Sequence, residues 1–511
     1  MGAALAEVER DSFAAADASY GSMVGFLKSG EAKGLTESQL ERRVAERIRE
    51  LARQLIQAHL AERGPGAAAG EVRGADDVMR ERARVHERGV ETIFGEVRVS
   101  RLGYGAEGVE SLHPLDADLN LPPELYSLEL RRRAAEEAAK QSFEETVASL
   151  ERQSGTTVGK RQVEQLVQRA AVDFDSFYAG HTPDASVPTG SVLVISADGK
   201  GVVMVPRDLR EATRKAAAEA SPKLEKRLTK GEKRNRKRMA TVATVFTVPP
   251  YPRTPEQVVR SLAPHRERDP ARPRPEHKRV WASLKKDPDQ VLEEAFREAK
   301  GRDPDRQKSW VALVDGNETQ LEILEDLARL YGVELTVVLD IMHVAEYLWD
   351  AALGFHPEAS KEREEWVSQR LLEVLRGHAV WVAAGIRRSA TRRRLRGRQR
   401  KPIDTCANYL LKYKAHLRYD EYLAKGFPIA TGVIEGACRH LVCDRMDAGA
   451  RWSLEEAEAV LRLRALRSSG NFDEYWTYHE QREHERNHVA RYAGGQVVPV
   501  RRGASPLRRI K

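Results

Sequence analysis

Cysteine is nearly absent: three residues in 511, at positions 406, 438 and 443. Three thiols so late in the chain cannot form a disulfide framework, and none makes the Cys-x-x-Cys pair of a zinc site, so a reduced compartment is expected. Long apolar runs are missing too. No window approaches the roughly 18 apolar residues a membrane-spanning helix requires. The first residues, Met1-Gly2-Ala3-Ala4-Leu5-Ala6-Glu7, meet charge before any apolar core can build. Neither secretion nor membrane insertion is expected, and the setting is read as cytoplasmic.

Charge is abundant. Asp, Glu, Lys and Arg make up 32% of the chain with a formal net charge of +8, and the excess is concentrated. Residues 207–238 hold thirteen Lys/Arg against five Asp/Glu, and residues 387–401 hold nine against none. Blocks of this kind suit a polyanion, because each phosphate contact releases counterions. The length allows two to four domains.

Residues 1–85 read as a helical region, with Leu40, Val44, Ile48, Leu51 and Leu55 at helical spacing behind a cap at Thr36. Residues 86–185 read as a DNA-binding region: a two-stranded element from Gly89 to Gly105, then helices. Within them, Ser142–Leu150, the turn Gly155-Thr156-Thr157-Val158-Gly159 and a helix opening on Lys160, Arg161 and Gln162 have the outline of a helix-turn-helix reader.

The chain is organised around Ser191–Met204. Its apolar run into Asp198, a Gly-Lys-Gly and a second apolar run read as a hairpin. Further strands are expected at Met239–Val248, at Ser309–Val314 before Asp315-Gly316, and at Val333–Leu339 before Asp340, with a helix at 318–331 joining the last two. The order predicts a mixed five-stranded sheet of ribonuclease H-like α/β type, the first strand lying centrally. Residues 186–345 form the first part of this core, 346–427 a helical insertion carrying Arg392, Arg393 and Arg394, 428–480 a glutamate helix and its successor, and 481–511 a basic tail.

Adjacent parallel strands would bring Asp198 and Asp315 together at the carboxyl end of the sheet, where open α/β folds place their sites. Carboxylates that close repel unless a cation lies between them, and magnesium, a hard ion taking oxygen ligands, is the natural occupant. Glu435, opening a helix with Arg439 one turn on, is the expected third acid. Asp340 and His343, where a strand passes into a helix, could brace the site, and Asp340 competes with Asp315 for the second position.

These residues, Ser-Ala-Asp198-Gly-Lys200-Gly, Val-Asp315-Gly-Asn, Leu-Asp340-Ile-Met-His343-Val-Ala-Glu-Tyr-Leu-Trp and Gly-Val-Ile-Glu435-Gly-Ala-Cys-Arg439-His-Leu, resemble those of bacterial insertion-sequence transposases of the DDE class. The likeness is greatest to the ISKra-type group, related to Mutator-like enzymes. It runs on through Gly449-Ala450-Arg451-Trp452-Ser453 and back to Phe94-Gly95-Glu96-Val97 and His113-Pro114-Leu115-Asp116, covering most of 85–480.

The resemblance implies that Asp198, Asp315 and Glu435 bind two Mg2+ or Mn2+ ions, and that Asp340 and His343 form a C/D-x-x-H motif. It also implies action on double-stranded DNA, cutting at terminal inverted repeats and joining 3′-hydroxyl ends to target DNA, by a homodimer or higher synaptic assembly near the nucleoid. Lys160, Arg161, Gln162, Lys200, Arg392, Arg393, Arg394, Arg451 and Trp452 are the expected DNA contacts. The competing readings are a structure-selective nuclease on the same fold and a DNA-binding regulator without catalysis.

Overall fold

The computed structural model describes residues 11–181, 188–219, 234–262, 272–447 and 451–501, with the single positions 229, 232 and 449. The middle of the basic 207–238 block, Ala450 and the tail arginines 502, 508 and 509 lie outside the described residues. Two compact units make up the chain: Met1–Phe177 with Phe472–Lys511, and Tyr178–Asn471. The sequence division put 428–480 with the core and made 481–511 a tail; the contacts instead join everything from Phe472 onward to the N-terminal unit. None of the described helices is long and apolar enough to cross a membrane.

The first unit opens with helices Ala14–Lys28 and Glu37–Glu62. The second starts where expected, with the Gln39 side chain accepting from the Thr36 N–H. Strands β1 (Arg82–Thr92) and β2 (Gly95–Gly105) pair antiparallel, and Val90, Val97, Val99 and Leu115 bury a small core beside them. Helices Leu128–Ala138, Phe143–Ser154 and Lys160–Ala170 follow. The middle one ends on Gly155 at φ 70°, where a Cβ would stand 2.8 Å from Arg49 Nη1, so the left-handed turn that aims the third helix needs glycine. Helix Phe472–Asn487 returns to this unit, with the Tyr475 hydroxyl donating to the Ala170 carbonyl at 2.6 Å.

The second unit is a mixed α/β domain on a five-stranded mixed sheet. Its strands are β3 (Val192–Val203), β4 (Lys237–Val248), β5 (Glu276–Ser283), β6 (Ser309–Val314) and β7 (Leu335–Leu339), in spatial order β5-β4-β3-β6-β7. β3 runs antiparallel to β4 and parallel to β6, and β6 parallel to β7. The first strand is central, as expected. Six consecutive residues, Val192 to Ala197, are buried, the mark of a strand covered on both faces. Each fully buried aliphatic contributes ~1.5–3 kcal/mol of transfer free energy, so Val192, Leu193, Val194 and Ile195 together outweigh the desolvation of one half-buried carboxylate a few residues on.

Two strand expectations are corrected. The hairpin at 198–204 does not form: β3 runs straight through Asp198 to Val203, with Gly199 opposite Thr241 and Gly201 opposite Met239. Neither glycine takes a positive φ, and a Cβ on Gly201 would stand 2.8 Å from Lys237 Cδ; close cross-strand approach, not a turn, accounts for it. The fifth strand is β5 (Glu276–Ser283), in a stretch where no strand was expected. It opens Glu-His-Lys-Arg, and its Arg279 is buried by pairing with Glu298 at 2.5 Å and by lying over the rings of Tyr178 and Trp281. A charged residue neutralised in this way is invisible to a hydrophobic pattern.

Helices Ile341–Ala352, Lys361–Leu375, Ala379–Arg392 and Gly397–Lys412 form the expected helical insertion. Gly432–Ala437 is α-helical, Cys438–Cys443 is a π-helical turn, and Leu454–Ser469 starts at a Ser453/Glu456 capping box.

Candidate acidic site

Strand register sets Asp198, within β3, beside the carboxyl ends of β6 and β7, where Asp315 and Asp340 follow. Ser196 pairs with Leu313 and Val314 with Leu339. Asp198, two residues past Ser196, and Asp315, two past Leu313, therefore stand across from one another, while Asp340 follows Leu339 on the next strand. The Asp340 N–H donates to the Val314 carbonyl at 2.9 Å, which fixes that third position.

The helix from Gly432 lies against this edge through two side chains. Thr431, just before it, donates its backbone N–H to Asp340 Oδ1 at 3.2 Å, and its hydroxyl stands 2.6 Å from Asp340 Oδ2 and 3.0 Å from Glu435 Oε1. Cys438, one turn after Glu435, donates its thiol to Asp198 Oδ2 at 3.2 Å. Glu435 itself is exposed. One helix is thus tied to the central strand and the edge strand at once.

The aspartates are not equivalent. Asp340 is buried and its oxygens are occupied, Oδ1 by the N–H groups of Met342 and Thr431 and Oδ2 by the Thr431 hydroxyl. Asp315 is half-buried and accepts the Asn317 N–H on Oδ1 at 3.1 Å. The hydroxyls of Tyr409 and Tyr413 hold the carbonyls of Asp315 and Gly316 at 3.4 and 2.8 Å. Burial first, and then the neighbouring tyrosines and Asp315, push the Tyr409 hydroxyl well above its usual range, so it remains a donor. Tyr409 and Tyr413 therefore grip the backbone of the Asp315 turn and not its carboxylate.

Lys200 lies 3.6 Å from Asp198 Oδ2. Burial lowers its pKa, but the Asp198 carboxylate and the Cys438 and Cys443 thiols outweigh this and hold it above the ordinary lysine value. The Cys438 thiol is pushed up by burial first and by Asp198 second, so it stays protonated and serves as a donor.

Other expected residues separate. His343 turns to Glu346, at 3.4 Å, and to the rings of Tyr347 and Tyr409, not to Asp340. Arg439 is exposed, in the π-turn that starts at Cys438, with Asp444 as its ion partner at 3.9 Å. Trp452 is not a surface contact: it is 3% exposed, its N–H and carbonyl bond to Val203 and Val205, and Arg445 lies over its ring. Neighbouring Arg451 is exposed, as are Arg392, Arg393 and Arg394, with the Arg393 guanidinium also lying over the Phe355 ring. Lys160, Arg161 and Gln162 lie exposed at their helix start, Lys160 pairing with Glu144.

Among the described residues, the one group of three metal-ligating side chains with ligand atoms all within 4.8 Å lies elsewhere, in the first unit: buried Asp173, His479 and Glu483. They lie close enough to hold an ion, but Arg131 Nη1 sits 2.6 Å from Glu483 Oε2 and 3.1 Å from His479 Nε2, and Arg486 sits 2.5 Å from Asp173 Oδ1. Two guanidiniums already neutralise the acids. Asp198, Asp315 and Glu435 do not form so tight a group; Asp198 accepts from the Gly199 N–H on Oδ1 and from the Cys438 thiol on Oδ2, and Glu435 Oε1 stands 3.0 Å from the Thr431 hydroxyl.

Thr431 and Cys438 were not picked out from the sequence. Their signal was position alone, four residues before and three after Glu435, on the helix face that meets the sheet. No protein-family model matches the chain, and no curated protein does.

Proposed function

We propose that the second unit is a ribonuclease H-like phosphoryl-transfer core acting on DNA, and that the chain is a DDE transposase. One observation carries this reading: register sets Asp198, within the central strand, beside the carboxyl ends of the two neighbouring parallel strands that lead into Asp315 and Asp340, while the helix bearing Glu435 is fastened to the first through Cys438 and to the third through Thr431.

The donor chemistry fits Mg2+ or Mn2+. The ligands would be carboxylate oxygens of Asp198, Asp315 and Glu435, the hard donors such ions take. The Thr431 hydroxyl has one proton to share between Asp340 and Glu435, so the second of these short contacts lacks a donor and a nearby cation would relieve it. Bound there, a pair of such ions supplies charge to the attacking and leaving oxygens of a phosphodiester. The chain's own part is placement. Asp340, its oxygens committed, braces the helix; the tyrosine hydroxyls fix the Asp315 turn; Lys200 offers a cation beside Asp198 that a DNA phosphate can share.

A groove of about 1090 Å3 opens at the first turn of the glutamate helix, walled by Phe246, Tyr251, Arg253, Arg260, Arg274 and Val433. Arg253 is held below its usual value by burial first and by the charge of Arg272 second. Crowded cations beside an aromatic ring suit a nucleic-acid strand.

The test is nicking and strand joining on a labelled duplex carrying the ends of the genetic element that encodes the chain. Asp315→Asn should lower the rate by about 10³-fold or more, the scale of losing a central electrostatic group, while duplex binding holds. Unchanged rates in Asp315→Asn would remove the proposal.

A further inference from the structure

The first unit contains a second cationic cavity that plays no part in the acid chemistry. About 180 Å3 in volume, it is walled by Arg88, His113, Asp116, Arg486, His488 and Arg491, with Asn487, Tyr492 and leucine and proline side chains completing the surface. That is room for a tetrahedral oxyanion with a few waters.

Its charges do not balance. The single carboxylate on the wall, Asp116, is taken by Arg101 from behind. Arg88 reaches the same Asp116 oxygen only at 4.0 Å and spends Nη2 on the carbonyls of Pro122 and Glu124. Arg486 is matched by Asp173 and Glu483. Arg491 has Glu110 at 3.0 Å, but that carboxylate is 90% exposed, and an exposed partner is screened to little effect. Two guanidiniums, Arg88 and Arg491, are thus in surplus around a half-buried space.

The imidazoles register the same field. His113 is lowered to about 4 by burial first, then by Arg101, His86, Arg491 and Arg88. His488 is lowered to about 4 by burial first and His484 second. Arg101 is lowered to about 10 by burial first, then by Arg88 and Arg491. Like charges held together at some cost create a standing demand for an anion.

We propose that this cavity binds a phosphate group, free or esterified in a nucleic-acid backbone, on Arg88 and Arg491 with His113 and His488 flanking it. A planar carboxylate would meet one guanidinium edge-on; a tetrahedral phosphate offers oxygens to arginines on separate chain segments, here the β1 strand and the turn after the last helix. The site does not depend on the acid site being catalytic, so either reading can fail without the other.

The experiment is calorimetric titration of the full-length chain with inorganic phosphate at constant ionic strength, repeated for Arg491→Gln, for His488→Asn and for Arg73→Gln, an exposed arginine outside the cavity. Saturable binding weakened about tenfold or more by Arg491→Gln, and weakened by His488→Asn, but kept by Arg73→Gln, supports the site. A short duplex that displaces phosphate competitively assigns it to a backbone phosphate; phosphate binding indifferent to duplex assigns it to the free anion. Absence of saturable binding, or equal loss in Arg491→Gln and Arg73→Gln, overturns the proposal.

Discussion

The thiol of Cys438 donates to Asp198 Oδ2 across 3.2 Å, joining a π-turn to the central strand of the sheet. Because burial first, and Asp198 second, raise the thiol above its ordinary range, it should resist alkylation. Cys406, raised to about 12 chiefly by burial, should behave alike. Mass spectrometry after iodoacetamide at pH 8 is expected to find both unmodified in the folded chain and modified in urea. Rapid labelling of Cys438 in the native state would break the link between helix and strand.

Thr431 is the matching tie on the other side. Thr431→Val removes the hydroxyl that Asp340 Oδ2 accepts from in a buried setting, and should cost about 1–3 kcal/mol. Thr431→Ser should restore most of it, both read from urea midpoints. A valine variant as stable as the parent would mean that Asp340 needs no such partner.

The register of β3, β6 and β7 was legible in sequence because three apolar runs each end in aspartate, and covered parallel strands read as unbroken apolar runs. β5 was not, since its first four residues are polar and its one interior charge is neutralised by Glu298 and stacked on rings. Gly-Lys-Gly misled because glycine serves close approach as well as turns. Trp452 was expected at the interface as part of the resembling stretch 449–453, although its backbone bonds to β3 and the turn after it. The ties through Thr431 and Cys438 join residues 91 and 240 positions apart in the chain, a separation at which local pattern carries no information.

The Asp173, His479 and Glu483 cluster offers a contrast in the first unit. Its cations are Arg131 and Arg486, so a chelator should leave that unit's unfolding transition where it is. Arg131→Met, which removes the buried cation shared by Glu483 and Glu124 and leaves them only Arg486 and Arg169, should destabilise it by roughly 1–3 kcal/mol. A melting temperature lowered by chelator and restored by zinc would reverse this assignment.

Acid should weaken the first unit for a separate reason. His113 and His488 are both lowered from 6.5 to about 4, so the unfolded chain binds their protons before the folded one does. Stability is then full above pH 6.5 and declines as the pH falls toward 4. Between pH 7 and 5 the loss should be about 2 kcal/mol or more for the pair, allowing for screening at half-buried His113. Denaturation midpoints across this window check it, and His113→Asn should flatten the profile.

The central claim is that Asp198, Asp315 and Glu435 serve one divalent-ion site. Mn2+ binding followed by electron paramagnetic resonance on the full-length chain measures this without any DNA. Asp198→Asn, Asp315→Asn and Glu435→Gln should each weaken binding about tenfold or more, while His343→Asn, turned toward Glu346, leaves it unchanged. Equal Mn2+ affinity in the parent and all three acid variants would contradict the account.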